Sequence, residues 1–576
     1  MQSLRRSTEL EEDIDRLCRQ VDAAGLMSWT GEISREVRLS GSAEEERAFV
    51  WLAERLAALG LQVRLSHHPG YVSWPGPARL EIAGLGELAC ITHAMAASAS
   101  GLSGEVLDLG PRGPESLRTG EALGRIVLAD GVANPRRVQA AEAAGAIAEI
   151  FVSGERRHEM IVSPVWGSPG QSDLPRLPRT PSVSIDRTAG ESLRRQLARG
   201  PATAVIDAQV QTVWRQLPQL EAELAPPSGE KSFVLLSGHV DSWHLGAMDN
   251  GSANALMLEM ARLLVQQRES LRRGLRLCFW SGHSHGRYAG SAHYADEHFL
   301  ELRERCVVHV NVDSPGGQGA TDLSHAIASA ELWQLAKEAV EAEATAEYVG
   351  TPPLRAGDES FLGMGVPALF MEVSEQPPGG EGGSGVSAGG GLGWWWHTPE
   401  DTLDKLDPAF LARDARIYLR ALWPLLTESV LPMRARAAAQ EVLSVLEERQ
   451  AASRGRLDLG LPIRLAQRLV RRAETLDRRA DHIRDMGQAA GAAEVRRANR
   501  QLQGLARALG PVRYTRQGPS GQDPALAQGL LPGLELASQL GALPEGDDME
   551  LHMQVDLVRE SNRIALGLQA AIDALR

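Results

Sequence analysis

Apolar positions follow four different rhythms along the chain. In "AEEERAFVWLAERLAALG" the residues Phe49, Leu52, Leu56 and Leu59 recur at helical spacing and Gly60 ends the run, which predicts an amphipathic helix followed by the strand "LQVRL". From about 76 to 205 the rhythm shortens: "GRIVLAD" reads as a strand, "RRVQAAEAAGA" as a helix, "IAEIFVS" as a strand and "LPRTPSVSI" as a proline-bounded strand. From about 206 to 430, apolar strands without polar alternation ("KSFVLLSGHVDSW", "GLRLCFWSGHSHG", "CVVHVNVDSPGG", "VPALFMEVS") are interleaved with helices such as "ANALMLEMARLLVQQ". Such strands are buried on both faces, which predicts an α/β sheet covered by helices on each side. Beyond 431, Leu465, Leu469 and Leu476 mark one stripe of a long arginine-rich helix, as in a bundle that packs on a neighbour or on a second subunit.

A length of 576 residues exceeds what one core supports, so roughly two to four domains are expected. Acidic residues outnumber basic ones, 74 to 60, and a surface of net charge −14 repels nucleic acid and anionic membranes, so neither is an expected partner. No apolar run reaches the length of a membrane span. The opening "MQSLRRSTELEEDIDRLCRQ" lacks the apolar centre of a signal peptide, and Cys18, Cys90, Cys278 and Cys306 are scattered without paired spacing. A cytoplasmic location is the expectation.

Polar clusters close the central strands, where ligands of α/β folds gather. "SGHVDSWHLGAMDNGSAN" places His239 and Asp241 two residues apart on one side of a strand end, with Asp249 at the mouth of the next helix. Imidazole and carboxylate are ligands that zinc takes, and both oxygens of a carboxylate can bridge two ions. "VNVDSPGG" ends a further strand with Asp313, and "GWWWHTPEDT" supplies His397. Singly each has an ordinary structural reading, as turn former or packed histidine; as an ordered set they point to a metal centre. The stretch "PPGGEGGSGVSAGGGLGWWW" predicts a mobile flap over 377–393 beside His397.

On "GHVDSWHLGAMDNGSAN", "NVDSPGG", "GDESFLGMGVPAL" and "HTPEDT" the chain resembles the bimetallic zinc exopeptidases, which include zinc aminopeptidases, glutamate carboxypeptidases and the non-catalytic transferrin receptor ectodomain. The resemblance covers roughly residues 30–430. It implies a three-layer zinc-peptidase sheet domain (1–75 as its helical N-terminal part, 206–430 as its catalytic part), a mainly-β protease-associated insertion at 76–205, and a helical domain at 431–576 that would form a homodimer. It further implies one or two zinc ions: His239 and Asp313 on one, Asp249 bridging, His397 on the second, and Asp241 orienting a ligand from behind.

One motif departs from the family. Where active members carry two consecutive glutamates, a general base and a metal ligand, this chain reads "FWSGHSHGRYAGS". Counted from Gly290 and Ser291, the ligand position falls on His285 and the base on Ser284; counted from Trp280, they fall on Ser284 and His283. Serine does either job poorly, so His285 is expected as ligand and His283 as base or additional ligand. Arg287, Tyr288, Trp243, His244, Arg355, Asp358 and Glu359 are candidates for the pocket lining, with no contact assigned. The function expected is a metal-dependent amide hydrolase, an exopeptidase of aminopeptidase type, with His283 shuttling the proton of a metal-activated water to the leaving amine. Two alternatives are a binding protein of transferrin-receptor type and a hydrolase of N-acyl or carbamoyl compounds.

Overall fold

The computed structural model describes residues 8–344, 347–377, 391–544 and 546–576. Most of the expected flap, at 378–390, lies outside them. The strands are β1 (Gln62–Ile82), β2 (Gly86–Leu88), β3 (Ile91–Thr92), β4 (Ala99–Asp108), β5 (Ile126–Asp130), β6 (Ala148–Val152), β7 (Ser182–Ile185), β8 (Thr203–Leu224), β9 (Phe233–His239), β10 (Gly274–Trp280), β11 (Cys306–Asn311) and β12 (Ala368–Leu369).

The order β12-β11-β9-β10-β8 forms the main sheet. β10, β9, β11 and β12 run parallel, and β8 pairs antiparallel to β10. Its central strands are buried along their whole length, and alternate side chains serve two layers. Val234, Leu236, Leu277 and Phe279 join the core shared with the helices Ala253–Val265 and Pro408–Thr427. Phe233, Leu235, Cys278 and Trp280 face the opposite layer with Tyr294, Leu302 and Phe361. The period-two division of an apolar strand is what makes the three layers. In the helix Ala43–Ala58, Phe49, Leu52 and Leu56 are buried and Ser42 caps the N-terminus, accepting a hydrogen bond from Glu45 N. β12 is shorter than "VPALFMEVS" suggests, because Phe370 turns into a left-handed conformation (φ 61°) directly after it.

The largest difference from the sequence reading is a ribbon. β1 and β8 pair antiparallel from Gln62↔Glu223 to Ile82↔Ala204, with a register shift between Pro75 and Ala78. One end belongs to the main sheet; the other carries β4, β5, β6, β7 and β3, of which β4 to β7 are parallel. This second sheet has its own cores: Ile126, Leu128, Ile150 and Val152 face one, and Val127, Ala129 and Phe151 face the other. Two helices, Pro135–Ala143 and Arg187–Leu197, accompany it. In the C-terminal region the helix Gly460–Met486 buries Leu469 and Leu476 together with Ala466, Ala473, Ala480 and Ile483, while Leu465 is half-buried. Among the described residues no helix is long and apolar enough to cross a membrane.

Candidate metal centre

β9 ends on His239, whose Nδ1 donates to Asp241 O at 2.9 Å. That bond fixes the ring and aims Nε2 at Asp249 Oδ1, 3.1 Å away, and at Asp313 Oδ2, 3.6 Å away. On the other side of Asp249, His397 Nε2 stands 3.1 Å from Oδ2. His397 is oriented as firmly as His239: its Nδ1 donates to Glu159 O at 2.6 Å, and Glu159 N returns a bond to His397 O at 2.9 Å. A carboxylate thus lies between two imidazoles, each with its second nitrogen already committed.

The backbone behind these groups is knitted by side chains. Asp401 accepts hydrogen bonds from Met248 N (2.9 Å) and Asp249 N (3.0 Å). Asn250 Oδ1 accepts from Ser314 N at 3.0 Å, tying the Asp249 loop to the Asp313 loop. The guanidinium of Arg38, itself unexposed, donates to the carbonyls of Ile33, Glu36, Val240, Leu245 and Gly246. Gly246 is irreplaceable in this turn: its φ is +54° and a Cβ there would lie 2.3 Å from Asp249 O. Ser314 Oγ donates to Asp313 Oδ1 at 3.0 Å, leaving Oδ2 for the centre.

Two observations indicate that these residues suit a cation. His239 Nε2 and Asp249 Oδ1 are both buried and neither makes a hydrogen bond, an expensive condition for polar atoms unless something coordinates them. One donor atom each from His239, His283 and Asp313 lies within 4.8 Å of the others. Electrostatics agree. Burial disfavours a charged His239, yet Asp313, Asp241 and Asp249 outweigh it and hold the ring well above the usual imidazole range. Burial likewise opposes the Asp249 carboxylate, and the imidazoles of His239 and His397 hold it below the carboxylate range all the same. A divalent ion with imidazole and carboxylate ligands would satisfy both.

The two histidines of "HSH" part company. His283 stacks on His239, centroids 3.8 Å apart and planes within 9°, and its Nδ1 lies 2.8 Å from Asp358 Oδ2. Asp358 also accepts from Ser291 Oγ at 2.6 Å, and burial is outweighed by His283 so that its pKa is lowered. His285, expected as a ligand, is placed elsewhere. Its Nδ1 lies 3.0 Å from Ser40 Oγ, its ring packs 4.4 Å from Trp243, and burial pushes its pKa down. The reason is Asp241, which accepts from Ser40 Oγ (2.6 Å), Ser284 N (2.8 Å) and His283 N (3.3 Å) and so fixes the turn carrying both rings. Among the expected pocket residues, Tyr288 sets its edge against His283 at 5.1 Å and Trp243 reaches His397 at 5.5 Å. Arg355 lies over Trp166, and Tyr288 Oη accepts from Gly357 N.

Arg38, Ser40, Glu159 and Asp401 were not singled out by sequence reasoning. Only Asp401 stood in a recognisable motif, two residues past "HTP". Glu372 is a further surprise: burial, followed by the charges of Asp313 and Glu375, raises its pKa well above the carboxylate range.

The chain is 33% identical over 84 residues to a probable glutamate carboxypeptidase of Zea mays, VP8, covering 14% of this chain and 12% of that protein. It spans less than two thirds of the length of the curated relatives it matches. Among solved structures, the Peptidase M28 precursor from Shewanella amazonensis superposes with a TM-score of 0.59 at 18% identity, covering 73% of this chain and 98% of that one. A zinc aminopeptidase from Bacillus subtilis gives 0.50 at 21% identity, covering 71% and 96%. These two likenesses establish the fold. Residues 220–422, which hold every ligand candidate from His239 to His397, match Peptidase family M28.

Proposed function

We propose that this chain is a metal-dependent amide hydrolase, an exopeptidase of aminopeptidase type that works with zinc. The observation that carries the proposal is Asp249, a buried carboxylate whose two oxygens each face an imidazole nitrogen at 3.1 Å. His239 Nε2 and Asp249 Oδ1, buried without a hydrogen bond, support a cation between them. The names of the M28 relatives, a zinc aminopeptidase among them, support it.

Zinc bound at these residues supplies Lewis-acid polarisation of the scissile carbonyl and acidifies water. The chain's residues do the rest. Asp401 and Arg38 hold the Asp249 loop so that the carboxylate meets both imidazoles without rearrangement. His283 and His397 each have Nδ1 tied to a fixed oxygen, Asp358 Oδ2 and Glu159 O, which orients both rings, and His397 Nε2 faces Asp249 Oδ2. Tyr288 walls that space beside His283.

The test is a screen of purified, zinc-loaded protein against aminoacyl, N-acyl and C-terminal dipeptide substrates. Release of a terminal residue that stops on chelation is expected; bound metal with no turnover in all three classes would refute the reading.

The organisation follows the same reading. Residues 76–205 act as a protease-associated insertion, supported by their separate cores, between catalytic parts at 1–75 and 206–430, and 431–576 form a dimerisation domain. In the last helix, Asp548–Ala574, the exposed Leu551, Val555, Val558 and Leu566 follow one stripe, as a helix does when it meets a second copy. Four free cysteines suit a reducing, cytoplasmic location.

A further inference from the structure

We infer that the centre holds one tightly bound divalent ion, with His283 among its ligands, and that the position beside His397 is not a second site of comparable affinity. The inference rests on the metal-dependent reading above but goes beyond it, because it fixes the number of ions and reassigns two histidines.

The argument starts from the count of donors on each side of Asp249. On the His239 side, His239, Asp313 and His283 each bring one donor atom into a group no wider than 4.8 Å, and Asp249 Oδ1 lies 3.1 Å from His239 Nε2. His283 is prepared as a ligand in the way metal-bound histidines usually are, with its far nitrogen on a buried carboxylate. Asp358 is that carboxylate, at 2.8 Å, and it is fixed in turn by Ser291 Oγ. Stacking holds His283 beside His239, centroids 3.8 Å apart, and it is the ligand atoms of His239, His283 and Asp313, all within 4.8 Å of one another, that converge.

Among the described residues two donors meet on the His397 side, His397 Nε2 and Asp249 Oδ2. Zinc sites use at least three protein ligands. Among the described residues no group of three forms around His397. The residue that would complete one, His285, has its Nδ1 against Ser40 and Asp241. Trp243 takes the intervening room: its indole packs 4.4 Å from His285 and 5.5 Å from His397, and it is seated in an apolar cluster with Ala94, Met95 and Ile161. His285 Nε2 is buried without a partner, so this ring is a ligand kept from its metal by an indole.

Of the two roles open to His283, base or additional ligand, it then takes the second and stands in for His285, while His397 keeps Nδ1 on the Glu159 carbonyl and Nε2 3.1 Å from Asp249 Oδ2.

Metal-stripped protein titrated with Zn²⁺ or Co²⁺ by calorimetry and native mass spectrometry reads the count directly. One tight equivalent is expected for the wild type, retained in His285→Ala and His397→Ala and lost in His283→Ala and His283→Gln. Trp243→Ala should raise uptake towards two. X-ray absorption on unaltered protein loaded with one equivalent of zinc gives a readout that no folding defect can disturb: two imidazoles per ion are expected. Two equally tight ions in the wild type, a single imidazole per ion, or a tight equivalent lost in His285→Ala and kept in His283→Ala would overturn the inference. The two readings fail separately. One ion without turnover of any substrate removes the hydrolase and leaves the stoichiometry; two ions with turnover does the reverse.

Discussion

Replacing Asp401 by asparagine isolates the support of the centre from the centre itself. The carboxylate accepts from two neighbouring amides, Met248 N and Asp249 N, and is almost fully buried. An asparagine keeps the shape, but its Oδ1 accepts from one amide while its Nδ2 turns a donor towards the other. A buried N–H left without an acceptor costs about 1–3 kcal/mol. If the loop stays in place, the cost appears as lost stability. If it relaxes, the cost must be met again on binding zinc, and affinity falls by about 5-fold to 150-fold at 1.4 kcal/mol per decade. Competition with a chromophoric chelator measures the second and urea unfolding of the metal-free protein the first; together they must account for the whole. Asp404→Asn, on an exposed carboxylate nearby, is the control. Wild-type affinity together with a wild-type urea midpoint would refute the claim that Asp401 positions Asp249.

Three other changes are expected to show clear effects. Burial lifts Glu149 to about 8 against the downward pull of Ser182 and Thr180, so the unfolded chain releases this proton first as pH rises. Stability should therefore be fully present below about pH 4.5 and fall up to about pH 8, by at most about 5 kcal/mol at about 1.4 kcal/mol per unit, and Glu149→Gln should flatten the urea-midpoint profile between about pH 4.5 and 8. Arg38→Met strips five carbonyls of their donor and should destabilise by at least about 3 kcal/mol, read as a lower Tm. If the dimer proposed above forms through the last helix, Leu551→Asp combined with Val558→Asp should lower the sedimentation coefficient to that of a monomer; a dimeric coefficient in the variant would place the interface elsewhere, and a monomeric wild type would remove the dimer.

His239, Asp249, Asp313 and His397 were legible in the sequence because each stands at a strand end or beside a turn whose residues announce it. The layered sheet was legible too, from apolar strands without polar alternation. The β1–β8 ribbon was not. Pro69, Gly70, Pro75, Gly76 and Pro77 read as breakers, whereas the long antiparallel pairing tolerates them and takes up the irregularity as a register shift between Pro75 and Ala78. Nor did the sequence decide between His283 and His285. Their directions follow from Asp241 and from left-handed backbone at Gly282, Arg287 and Tyr288, and non-glycine residues give no warning that they will adopt it. Arg38 and Glu159 act through their environment across hundreds of residues, so no local pattern marks them.

The pairing of Glu159 with His397 joins positions 238 residues apart in the chain. His397 stands in the catalytic part and Glu159 in the insertion, so the centre depends on both parts of the molecule at once. Excising the insertion to make a smaller protein would leave His397 without the carbonyl that aims it, and a hinge loosened between the two sheets would blur the centre before it unfolded either of them.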